Sequence, residues 1–194
     1  RDRRWVKVLR DDGQIENVSL KELFAMADRC RSLAGELPTQ DLAIMRLVIA
    51  VLYAIYCEED IEGNVGEIED EDDAYRRWGG IWGRGRFDDV RISAYLEKYR
   101  ERFYLIHPER PFYQALIEEG TSYEASKMNG EVAESGNKVR LFSAISPGTK
   151  KNMEYDEAAR WIINLMNFDD TALKAKGKNL PSVSTGWLGV IGPV

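Results

Sequence analysis

Apolar and polar positions alternate from Trp5 to Leu9 and again from Gln14 to Val18, with Asp11-Asp12-Gly13 between them. That pattern predicts a β-hairpin. Ser19 followed by Glu22 has capping-box spacing, so a helix is predicted from about Leu20 to about Ser32. Pro38-Thr39 opens a second helix, Gln40 to about Cys57, apolar nearly all round and so expected at the centre of the core. A third helix, capped by Asp88 or Asp89, carries an apolar stripe of Ile92, Tyr95, Leu96, Tyr99, Phe103 and Ile106, and Pro108 and Pro111 end it. A fourth, Glu154 to Phe168, presents Tyr155, Ala158, Ala159, Ile162, Leu165 and Met166 on one face. Between the second and third helices, Arg76 to Phe87 holds Trp78, Trp82 and four glycines and reads as a linker with aromatic anchors. The elements add up to an α+β class: a mixed helical domain with short antiparallel strands.

Charge changes this picture at one place. The 194 residues carry a net charge of −6, which argues against a simple nucleic-acid-binding domain. Yet Glu58 to Asp73 alone holds ten carboxylates and no cation, and outside it 23 acids stand against 27 bases. The overall sign therefore says little about any one face. The segment predicts a solvated, mobile loop. Its carboxylates lack the ligand spacing of a calcium loop.

Composition excludes several function classes. The longest apolar stretch, Leu42 to Cys57, is interrupted by Arg46 and falls short of the roughly 18 residues of a membrane span. No signal peptide is evident, and Cys30 and Cys57 are too far apart in sequence for a zinc pair or a disulfide framework. A reduced, cytoplasmic setting fits. There is no nucleophile elbow, Walker loop or dinucleotide fingerprint. The single histidine, His107, precedes Pro-Glu-Arg-Pro and reads as closing a turn. No catalytic residue, cofactor or metal site is predicted.

The segment Ser135 to Ser143 carries more chemistry. A Ser-Gly-Asn turn leads into a strand-like run with Lys138, Arg140 and Phe142. Asn137 offers polar contact, the cations suit phosphates, and the ring suits stacking. From these residues alone an ordinary turn before an edge strand is the stronger reading, with core packing as the plain alternative for Phe142.

Several blocks, in order, resemble the CasA family, the large subunit of the type I-E CRISPR surveillance complex, Cascade. They are Glu36-Leu37-Pro38-Thr39-Gln40-Asp41-Leu42-Ala43-Ile44, then Tyr95-Leu96-Glu97 with Arg102-Phe103 and the run His107 to Gln114. Glu134 to Lys138 with Leu141-Phe142 follows, then Glu157-Ala158-Ala159-Arg160-Trp161 with Phe168-Asp169, and Gly186-Trp187-Leu188-Gly189. The resemblance implies a single N-terminal domain, 1–194, of a larger protein that continues into a helical bundle. The acidic segment departs from the family pattern as an insertion. So does Ser146 to Asn152, where some relatives place the first of two zinc-binding cysteine pairs.

The resemblance further implies a non-catalytic subunit that inspects double-stranded target DNA for the protospacer-adjacent motif and helps recruit the helicase-nuclease. Its other partners would be the guide RNA 5′ handle and the remaining Cascade subunits, with no membrane. Base pairing reads the long sequence in such systems, and protein reads a short flag. On this reading Asn137, Lys138, Arg140 and Phe142 lie beside the handle and the motif duplex, with Lys150 and Lys151 on phosphates. Lys174, Lys176 and Lys178 precede a loop in which Gly186 and Gly189 let the backbone approach a groove floor. The alternative is a protein–protein docking domain that makes no direct DNA contact.

Overall fold

The computed structural model describes residues 1–114 and 152–168. The chain divides into two compact units, Arg1–Phe103 and Tyr104–Val194.

In the first unit, the predicted hairpin forms as β1 (Val6–Arg10) and β2 (Ile15–Val18), paired antiparallel with Val6 opposite Val18 and Leu9 opposite Ile15. Val6 and Val8 point into the core and are fully buried, as strand alternation requires. Gly13 turns the chain with φ +82, and the Asp12 carboxylate accepts the Gln14 N–H at 3.0 Å.

Ser19 caps α1 (Leu20–Ala25) with both halves of the capping box in place. The Glu22 N–H donates to Ser19 Oγ at 3.1 Å, and the Ser19 N–H donates to the Glu22 carboxylate at 2.8 Å. The helix ends seven residues short of its predicted limit. After a 3-10 turn at Ala27–Arg29, Cys30–Leu33 becomes β3 on the free side of β1, giving the order β2-β1-β3. An unpaired edge of β1 would leave its backbone groups unsatisfied, and that tertiary demand overrides the helical continuation.

Helix α2 spans Pro38–Tyr56. Its entry is fixed by side chains from its own first turn: the Gly35 N–H donates to Asp41 Oδ1 at 2.8 Å and the Glu36 N–H to Gln40 Oε1 at 3.0 Å. A Cβ on Gly35 would lie 2.4 Å from Gln40 Oε1 and 2.7 Å from Asp41 Oδ1, so a larger residue would have to displace the two side chains that fix this entry. Ala43, Ile44, Val51 and Ile55 face inward, but Leu42, Met45, Ile49 and Tyr53 are 54, 42, 55 and 65% exposed. The helix is thus a wall of the unit and not its centre. By length and hydropathy alone it would qualify as a membrane span, although its inner face packs against α4.

The reading of Arg76 to Phe87 as a linker does not hold. Glu71–Arg84 forms α3, so the acidic run divides into a loop and the first turn of a helix. Gly79, Gly80 and Gly83 lower helix propensity by about 1 kcal/mol each. Against that, Asp70 caps the N-terminus by accepting the Asp73 N–H at 2.8 Å, acids fill the first turn, and Gly85 closes the end at φ +64. Asp88 caps α4 (Asp89–Lys98), accepting from Val90 and Arg91 at 3.1 Å each. Ile92 and Leu96 of α4 are fully buried, and the helix packs on both α1 and α2. It stops well before the prolines, and a 3-10 turn at Arg100–Phe103 follows.

In the second unit, α5 runs Tyr155–Phe168, within a residue of its predicted span. Its buried face is Ala159, Arg160, Trp161, Ile163 and Asn164, whereas Tyr155 and Met166 are exposed. The predicted face is therefore rotated. Arg160 reaches back to Asp156 at 3.4 Å, and buried polar residues on the inward side disguise it as a solvent face.

Candidate functional site

The predicted nucleic-acid residues, Asn137, Lys138, Arg140, Phe142, Lys150, Lys151, Lys174, Lys176, Lys178, Gly186 and Gly189, all lie outside the described residues. The described part of the chain builds other features, and two of them meet in the first unit.

One is the loop that carries the acidic run. The Asp60 carboxylate accepts the N–H groups of Glu62 at 2.9 Å and Asn64 at 2.8 Å and the Asn64 side-chain amide at 2.9 Å. The Asn64 amide, with those backbone donors, holds this carboxyl below the usual range for aspartate. Gly63 turns the loop at φ +96, and Glu59 bridges to Val65.

Three arginines fasten this loop through main-chain oxygens. Arg77 donates to the carbonyls of Tyr56 at 3.3 Å, Cys57 at 3.2 Å, Gly66 at 2.8 Å and Glu67 at 3.0 Å. Arg84 donates to the Ile61 carbonyl at 2.5 Å, and Arg91 to the carbonyls of Asp60 and Ile61. Side-chain pairing is confined to Asp73 with Arg76 and Arg77, and to Glu59 and Asp88 with Arg91. The Arg77 guanidinium pulls the Asp73 carboxyl below its ordinary value.

The second feature is an apolar groove of about 600 Å³ walled by β3 and by helices α2 and α3. Met45, Ile49 and Tyr53 line it from α2, and Trp78 and Ile81 line it from α3. The indole rings of Trp78 and Trp82 lie 6.1 Å apart, tilted by 34°. Cys30 and Cys57 are free thiols on the groove wall, and burial pushes the Cys30 thiol up. The sequence signal for this face was the i, i+4 spacing of the two tryptophans, which becomes legible once α3 is known to be a helix.

His107 closes a turn, as its position before Pro108 predicts. Its Nδ1 accepts the N–H groups of Glu109 at 3.1 Å and Arg110 at 2.9 Å, and its ring stacks on Tyr104. Tyr113, at φ +58, has its hydroxyl 3.4 Å from Asn167 Nδ2. Among the described residues no group of three or more His, Cys, Asp or Glu is placed to hold a metal ion.

Comparison with known proteins places this fold. The chain is 29% identical over 167 residues to CRISPR-associated protein CasA/Cse1 of Thermus thermophilus, covering 84% of this chain and 30% of that protein. It superposes on the crystal structure of Thermobifida fusca Cse1 with a TM-score of 0.66 at 26% identity, covering 86% of this chain and 29% of the other. For Cse1 from Acidimicrobium ferrooxidans the TM-score is also 0.66, at 27% identity, with 95% and 31% covered. The fold also recurs, at 18% identity and a TM-score of 0.69, in a chain of a CRISPR RNA-guided surveillance complex, covering 89% of this chain and 34% of that one. The chain thus spans about 30% of the length of the curated relative it matches. The sequence profile of the family described as CRISPR-associated protein Cse1 matches residues 1–194, and the chain belongs to that family.

Proposed function

We propose that this chain is part of the large, non-catalytic subunit of an RNA-guided antiviral surveillance complex in the cytoplasm. The subunit recognises the protospacer-adjacent motif in double-stranded target DNA and helps recruit the helicase-nuclease. The observation that carries the proposal is the family match over all of residues 1–194. The likeness in fold to a chain of an RNA-guided surveillance complex supports it. Within the subunit, Asn137 and Phe142 make polar and ring contact beside the guide RNA 5′ handle and the motif duplex. Lys138, Arg140, Lys150, Lys151, Lys174, Lys176 and Lys178 meet phosphates, and Gly186 and Gly189 allow close backbone approach.

The physical logic is that of short-flag reading. The minor groove presents a degenerate donor and acceptor pattern, which suits a reader that accepts several related motifs.

The test uses a guide-loaded complex lacking its large subunit, to which the full-length protein is added. Affinity is measured for duplexes that differ only in the flanking motif. Wild-type protein is expected to restore motif preference, and the Asn137→Ala/Phe142→Ala variant to lose it. Absence of motif preference with wild type would overturn the function. A variant that behaves as wild type would overturn the site.

A second reading, a docking domain without DNA contact, is favoured by the acidic loop and the exposed aromatic face of the first unit. Replacing Lys174, Lys176 and Lys178 with alanine separates the two. Direct DNA binding predicts a salt slope shallower by about one unit for each phosphate that the variant no longer neutralises.

A further inference from the structure

We draw no further inference here: the strongest candidate, the apolar groove between α2 and α3 with Trp78 on its wall, has Arg31 and Arg77 and no carboxylate in its lining, and nothing among the described residues shows what covers it.

Discussion

Arg77 stands in the second turn of α3 and donates to the Cys57 carbonyl, 3.2 Å away at the C-terminal end of α2. One planar guanidinium thereby caps one helix while it holds the loop that leads to the next. Its side chain is only 10% exposed, and Asp73 beside it 14%. Five donors in a fixed fork match four carbonyls and a carboxylate in a way that an ammonium cannot.

Arg77→Lys is therefore expected to loosen residues 58–67 without unfolding the first unit. Leaving several carbonyls without a partner costs about 1–3 kcal/mol. Amide exchange across the loop should rise by about tenfold or more. Amides of β1 should keep their protection. Equal protection in both regions would show that the arginine is dispensable.

Acid should act on the same loop. Asp73 and Asp60 both have carboxyls held below their usual value of 3.8 in the folded protein. Each contributes stability that is fully present above that usual value and is lost as pH falls through the lower folded one. Loop protection, corrected for intrinsic exchange, should be flat near neutrality and decline below about pH 4. Asp73→Asn should remove part of that decline, and a profile unchanged by the substitution would refute the linkage.

The glycines of α3 are not equivalent. A Cβ at Gly83 meets nothing within 4 Å, whereas at Gly80 it lies 2.4 Å from Ile61 Cδ1. Gly83→Ala should stabilise the helix by up to about 1 kcal/mol. Gly80→Ala should give less, because Ile61 must move aside. Thermal unfolding of the two variants side by side decides it, and the reverse order would contradict the close approach.

In the core, Leu96→Ala removes a fully buried side chain from the helix that packs on α1 and α2. A loss of about 2–5 kcal/mol is expected. Val90→Ala, at a position 74% exposed on the same helix, should change stability by less than about 0.5 kcal/mol. Denaturation of both variants checks the contrast.

What could be read ahead of the structure was whatever short-range chemistry decides. The hairpin around Gly13, the Ser19–Glu22 box, the Asp88 cap and the turn at His107 each depend on residues a few positions apart. The third strand could not be read, because Cys30–Leu33 is extended only through its pairing with β1. Helix α3 was hidden behind its glycines, although Asp70 and Gly85 mark both ends. The inward face of α5 was misread because Arg160 and Asn164 are polar and buried. The residues proposed to face DNA came from resemblance to a family, since local chemistry at Asn137 and Phe142 favours an ordinary turn and strand.

The way the acidic loop is gripped separates its shape from its charge. Arg77, Arg84 and Arg91 hold peptide oxygens that every residue possesses, and Glu59 and Asp60 are the loop acids whose side chains also serve the architecture. Positions such as Glu62 and Glu67 can exchange their side chains for neutral or basic ones while the scaffold beneath keeps its form. Such a segment lets its surface be rewritten under selection, over a frame that does not have to be reinvented each time.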